Sequence, residues 1–221
     1  MIKGVVFDLD HTLFDRYATL RRIMGGFCER FDVADSVTED AAFDMMSYAD
    51  RHFVHIGWEH ILKCLAAQGM FKTPPTFDEY AEYMFSRFRE VAVPFDFAVP
   101  TLQTLRARGY KTGLITNGSS KTQRAKLGML GIEPYFDSIL ISGEFGAEKP
   151  SPEPFLETAR RLGLEPDELI YAGDHPLFDV DASRRAGYTP VWVMTTGTWV
   201  YPEIEKPEIC VETVAEIPDI F

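Results

Sequence analysis

Asp8 and Asp10 stand two residues apart in Val5-Val6-Phe7-Asp8-Leu9-Asp10-His11-Thr12, directly after a β-branched and aromatic run. Such a run reads as a short strand buried on both faces. If extended geometry continues through the pair, both carboxylates lie on one side of the backbone. Two negative charges that close repel, so a cation must sit between them or one must keep a proton. A hard divalent cation such as Mg2+ suits an all-oxygen site. One carboxylate can then attack an electrophile while the other moves protons. A polar loop after a strand also contains Asp, and that plainer reading stands beside the catalytic one until other residues join the pair.

The elements that must position this pair fall into two kinds. After Asp15 the apolar spacing is helical as far as about Pro94. Tyr17, Leu20, Ile23, Met24 and Phe27 line a first helix, which Gly25 and Gly26 are expected to weaken. Ser36 with Glu39, and Thr76 with Glu79, have the spacing of capping boxes for two more helices. A further helix runs from Trp58 toward a stop at Gly69. From Pro94 onward strands and helices alternate. Strands are expected at 111–115, 138–141, 169–172 and 190–194, with helices at 99–108, 120–130 and 179–186. Another helix should open at Ser151-Pro152, with Pro at its first position. That alternation implies βαβ units on a parallel sheet, where ligands bind at the carboxyl ends of the strands. Asp8, Thr116 and Asp174 each stand where an expected strand ends.

Composition narrows the partners. A chain of 221 residues can bury one core plus a smaller insert. Its formal net charge of −12 opposes nucleic-acid polymers and anionic membranes as main partners. A small phosphorylated substrate remains compatible, because a metal and one or two lysines set the local field. Cys28, Cys64 and Cys210 form no CxxC pair, as expected of reduced thiols in a cytoplasmic protein. The N-terminus lacks the pattern of a signal peptide, and no apolar stretch approaches membrane-spanning length.

Four motifs in this order resemble those of the haloacid dehalogenase-like (HAD) hydrolase superfamily. Asp8-Leu9-Asp10-His11-Thr12 matches DxDxT, and Thr116 ends the apolar strand Gly113-Leu114-Ile115. Lys149 stands in Glu148-Lys149-Pro150-Ser151-Pro152, and Gly173-Asp174 is followed five residues on by Asp179. The resemblance implies a Rossmann-like α/β core over 1–14 and 96–221, with residues 15–95 as an inserted helical cap of the C1 type. It implies that Asp8 is the nucleophile that forms an aspartyl-phosphate, and that Asp10 is the proton donor and then acceptor. Mg2+ would be held by Asp8, the backbone carbonyl of Asp10 and Asp174, with Asp179 close by or acting through water. Lys149 and Thr116 would spread phosphoryl charge, and the backbone N–H groups of Leu9 and Asn117 would add donors to substrate. A carboxylate at Asp10 favours phosphoryl chemistry over dehalogenation, because a halide leaves without a proton. His175-Pro176-Leu177-Phe178 departs from the small polar residues usual between the two acids of the fourth motif, and His175 reads as a half-exposed loop residue.

The expected function is a Mg2+-dependent phosphatase acting on a small phosphorylated metabolite, of the sugar phosphate or nucleotide class. A phosphomutase is the nearest alternative, and a non-catalytic phospho-accepting or binding protein is a further one. Receiver-type phospho-acceptors share an acidic site, Thr and Lys, but have no helical insert of this length. Arg16, Arg21, Arg22, His52, His55 and Lys63 are candidate anion contacts in the insert, with solvated helix faces as the plain alternative. Hinges are expected near Asp15 and Pro94-Phe95, and the choice between monomer and homodimer stays open.

Overall fold

Val5, Val6 and Phe7 are wholly buried and pair on both sides, Val6 opposite Gly113 and opposite Tyr171. In this computed structural model, which describes residues 1–54, 56–196, 199 and 201–220, they form strand β1, Gly4–Phe7. Four helices follow: α1 Arg16–Arg30, α2 Glu39–Phe53, α3 Trp58–Ala67 and α4 Phe77–Glu90. Then come α5 Ala98–Ala107, β2 Lys111–Thr116, α6 Ser120–Leu130, β3 Ser138–Ile141 and the single turn α7 Ser142–Phe145. The chain ends through α8 Glu153–Leu162, β4 Leu169–Gly173, α9 Ala182–Arg185, β5 Thr189–Val193 and β6 Ile209–Val211. Two compact units result, 1–15 with 94–221, and 16–93.

In the first unit the six strands pair in parallel, in the order β3-β2-β1-β4-β5-β6. The chain builds β2 and β3 on one side of β1, then crosses back to build β4, β5 and β6 on the other. Strand order therefore reverses at β1, and the crevice at the carboxyl ends of β1, β2 and β4 is where such a sheet binds ligands. The core beneath contains Val6, Ile115, Leu140, Phe155, Tyr171 and Tyr188. Phe155 is wholly buried, with its ring 5.0 Å from that of Tyr171 and 5.8 Å from that of Tyr188.

Extended geometry does not continue through the acidic pair. Asp8 adds one more rung, its N–H donating to the Ala172 carbonyl at 2.9 Å. The chain then turns sharply: the Leu9 carbonyl accepts from the N–H groups of both Leu13 and Phe14. His11 adopts a positive φ of 63°, and its N–H donates to the Phe14 carbonyl. The turn, not strand alternation, decides where the Asp10 side chain goes. Pro152 precedes rather than opens its helix, which begins at Glu153. The helix expected from Asp179 is a wide turn over Pro176–Asp181 that passes into α9. The short α7 and β6 escaped the pattern because three or four residues carry no period.

The second unit is wholly helical in its regular elements. Phe27 packs against Phe31, Phe71, Tyr80 and Tyr83. α1 runs unbroken through Gly25 and Gly26, since burial of Ile23, Met24 and Phe27 outweighs weak helix propensity. A Cβ on Gly26 would come within 2.8 Å of the Tyr83 hydroxyl oxygen, so close packing uses the missing side chain. Thr38, not Ser36, caps α2 by accepting from the Ala41 N–H. Thr76 and Glu79 form the reciprocal box at the start of α4. Arg16 is buried, bonding both oxygens of Asp50 at 2.8 and 2.6 Å, with its guanidinium over the Trp58 and Phe88 rings. Among the described residues no helix is long and apolar enough to cross a membrane.

Phe155→Ala should cost about 3–5 kcal/mol of stability, because it opens a cavity beneath the sheet between two tyrosine rings. Urea denaturation followed by circular dichroism measures the loss, and a shift under about 1 kcal/mol would contradict a close-packed core at Phe155.

Candidate active site

β1, β2 and β4 are neighbours, so the residues leaving their carboxyl ends meet. Asp8 follows β1, Thr116 ends β2, and Asp174 follows β4. Lys149, in the loop before α8, is 3% exposed. Its ammonium donates to Asp8 Oδ1 at 2.7 Å, to Asp179 Oδ1 at 2.6 Å and to the Tyr171 hydroxyl at 2.9 Å. Carboxylate oxygens of Asp8, Asp174 and Asp179 all lie within 4.8 Å of one another. Asp8, Lys149, Asp174 and Asp179 thus gather at one point, although Lys149 is 141 residues from Asp8.

The backbone around this point is built to allow it. A Cβ on Gly173 would lie 2.4 Å from Asp179 Cγ, so only glycine lets that carboxylate fold back against β4. Asp179 Oδ2 accepts from the His175 N–H at 2.9 Å. His175 Nδ1 accepts in turn from the N–H groups of Leu177 and Phe178, which starts the wide turn that carries Asp179. Burial lowers the imidazole pKa to about 4, as suits a neutral ring accepting at Nδ1. Asn117 grips the Lys149 backbone both ways, donating from Nδ2 to its carbonyl at 2.9 Å and accepting its N–H at Oδ1 at 3.0 Å. The side chain of Asn117 therefore holds the lysine loop, a role separate from the backbone donation expected of it. Leu9, wholly buried, anchors the turn through its carbonyl.

Charge is out of balance at this centre. Burial pushes the Asp8 carboxyl up to about 7 despite Lys149, with Asp179 and Asp10 adding repulsion. Burial, then Asp179 and Asp8, likewise raises Asp174 well above the carboxylate range. Asp179 feels the same burial, but Lys149 and the His175 N–H outweigh it and hold the group low. Lys149 is buried too, yet Asp179 and Asp8 keep it firmly protonated. Three converging carboxylates against one ammonium leave an excess of negative charge that a divalent cation would neutralise. The donor set is all oxygen, and Asp8, Asp174 and Asp179 fit a hard ion such as Mg2+. Bound there, the ion would act as a Lewis acid toward a phosphoryl oxygen.

Asp10 is served separately. Its carboxylate stands outside the three-carboxylate group, with Lys126 Nζ 2.8 and 3.0 Å from its two oxygens. Gln123 Nε2 donates to Asp10 Oδ2 at 3.2 Å and also to the hydroxyl of Thr116. The sharp turn separates the two carboxylates, and each has its own lysine, Lys149 at Asp8 and Lys126 at Asp10. Lys126, Gln123 and Tyr171 were not anticipated. A signal existed for two of them, since Gln123 and Lys126 share the inward face of α6 with Leu127 and Leu130.

Of the candidate anion contacts in the helical unit, Arg16 is engaged by Asp50 as described. Arg21 pairs with Asp40, Arg22 is exposed, and exposed Lys63 pairs with Glu59. His52 Nδ1 is 2.8 Å from the Tyr48 carbonyl, and His55 lies outside the described residues.

The sequence pattern of haloacid dehalogenase-like hydrolases matches residues 5–193. The chain belongs to that family, as its four motifs imply, and is an enzyme. It is 32% identical over 199 residues to the glyceraldehyde 3-phosphate phosphatase of Methanopyrus kandleri, which covers 86% of this chain and 83% of that one. Over its whole length it is 29% identical to the glyceraldehyde 3-phosphate phosphatase of Methanocaldococcus jannaschii, 97% of which is covered. A solved HAD phosphatase from Thermococcus onnurineus is similar at 26% identity and a TM-score of 0.65, over 99% of this chain and 97% of that one. L-2-haloacid dehalogenase from Xanthobacter autotrophicus, at 18% identity and a TM-score of 0.75, over 100% of this chain and 98% of that one, shares the fold.

The raised Asp8 carboxyl has a measurable consequence without metal. Between its ordinary 3.8 and the folded value of about 7, the folded protein keeps a proton that the unfolded chain has released. Raising pH through that window therefore removes stability. Asp8→Asn lacks this titration. In chelator, the melting temperature of wild type minus that of Asp8→Asn should fall from pH 5 to pH 8; a difference that stays flat or rises would refute the shift.

Proposed function

We propose that the chain is a Mg2+-dependent phosphatase that hydrolyses a small phosphorylated sugar through an aspartyl-phosphate on Asp8. The observation that carries this reading is the Lys149 ammonium joining Asp8 and Asp179 beside Asp174. The relatives from Methanopyrus kandleri and Methanocaldococcus jannaschii, matched along most of this chain, are phosphatases named for a three-carbon sugar phosphate. That favours the sugar phosphate class over nucleotides. The helical unit, inserted directly after the acidic turn, is read as a cap that selects the substrate.

In this reading Asp8 attacks phosphorus as the ester P–O bond breaks, and a proton from Asp10 goes to the departing oxygen. A water then attacks the aspartyl-phosphate, gives its proton to Asp10, and frees inorganic phosphate and the Asp8 carboxylate. Lys149 holds a positive charge beside the nucleophile throughout, which lowers the repulsion between a carboxylate and a phosphoryl dianion. The Thr116 hydroxyl, whose oxygen accepts from Gln123, keeps its own proton to donate to a phosphoryl oxygen. Leu9 and Asn117 are read as backbone donors to the same group. Burial of Lys149 and Asp179 keeps these charges in a low-dielectric setting, where their pull on a phosphoryl group is strong.

Release of inorganic phosphate from glyceraldehyde 3-phosphate and from an aryl phosphate tests the reading. Turnover should need no sugar bisphosphate, should fall below detection in Asp8→Asn, and should be lost in chelator and restored by Mg2+. Turnover that persists in both Asp8→Asn and chelator would end the proposal, and dependence on a sugar bisphosphate would favour a mutase.

A further inference from the structure

Lys126 is 3% exposed in the folded chain, on the inward face of α6. A buried lysine is costly unless its charge is matched and bonded. Here the match is Asp10, gripped at both oxygens, while the Lys126 ammonium also lies 4.9 Å from the centre of the Phe14 ring. Phe14 closes the turn that carries Asp10, accepting from the His11 N–H and donating to the Leu9 carbonyl. Gln123, one helical turn before Lys126, fastens the same carboxylate to Thr116 at the end of β2.

The platform behind these two side chains is itself fixed. Ser119 caps α6 by accepting the Thr122 N–H, and Ser142 Oγ accepts the Gly118 N–H just before it. The Gly118 carbonyl accepts the Gly143 N–H at 3.0 Å. Asp10, by contrast, sits in a turn, with its side chain a quarter exposed.

We propose that Lys126, assisted by Gln123, is a positioning residue that sets the Asp10 carboxyl for proton transfer to the leaving oxygen. It acts through Asp10, not by touching the reacting phosphorus. A fixed ammonium also suits the carboxylate that remains when the proton has gone to the alcohol and the P–O bond has broken. The proposal rests on the reading of Asp10 as the proton donor.

A leaving-group comparison separates this role from a structural one. A nitrophenyl phosphate releases a phenolate that needs no proton, whereas glycerol 3-phosphate releases an alkoxide that does. kcat/KM covers only the steps up to the first irreversible one, which for both esters includes departure of the leaving group. In Lys126→Met, kcat/KM for the glycerol ester should fall at least about tenfold further than for the aryl ester. Asp10→Asn should show the same preference, larger, and Lys126→Arg should recover part of the activity that Lys126→Met loses on the glycerol ester. Circular dichroism and melting establish that each variant is folded; Gln123→Leu, expected to show a smaller shift the same way, takes the place of Lys126→Met should that protein not fold. Equal losses on the two esters, with Asp10→Asn still selective, would overturn the positioning role. Equal losses in Asp10→Asn itself would overturn the proton-donor reading.

Discussion

One ammonium among three buried carboxylates is the constraint that the rest of this protein answers to. Asp8, Asp174 and Asp179 converge inside the protein against their mutual repulsion, and Lys149 opposes it from a loop far away in the chain. Each partner reaches the point by a different route. Asp8 arrives on the central strand, Asp174 on its neighbour, and Asp179 by a turn that glycine at 173 permits. Lys149 is delivered by a loop whose backbone Asn117 clamps to the end of β2. Parallel pairing of β2, β1 and β4 places all these strand ends at the same edge of the sheet, and so the topology itself is part of the electrostatics.

The division between two lysines explains how one acidic turn can hold two different carboxylates. Asp8 lies deep, where burial and neighbouring acids raise its carboxyl and Lys149 opposes them. Asp10 lies nearer the surface, engaged by Lys126 and Gln123 from α6. The sharp turn after Leu9 creates this difference, because it ends strand geometry before Asp10 is reached. Two carboxylates in distinct surroundings suit distinct tasks, one attacking and one moving protons.

In the helical unit, charge is handled differently. The Arg16–Asp50 pair is buried beneath the Trp58 and Phe88 rings, whereas the pairs at Arg21–Asp40 and Lys63–Glu59 are solvent-exposed. Exposed pairs of that kind contribute little to stability, so the unit rests on its aromatic core around Phe27.

Much of the architecture was legible along the chain because it depends on local spacing. Ser120–Leu130 and Ser138–Ile141 stand where the pattern puts them, and the Thr76–Glu79 box is a contact between residues three apart. Strand ends marked Asp8, Thr116 and Asp174, while Lys149, inside the loop before α8, was marked only by its resemblance to a family motif. Lys126 shows the limit: on a helix, a lysine among apolar neighbours can snorkel to water or be buried, and only what packs against it decides. Asp10 lies 116 residues before it, and no local rule links the two. By itself the sequence determined β1 to β5 and most of the longer helices, because those follow from period, capping and steric preference within a few residues, while α7, β6 and the wide turn at Pro176–Asp181 did not. Only the tertiary structure decided which lysine answers which carboxylate, because that choice needs the sheet closed and the intervening chain folded away.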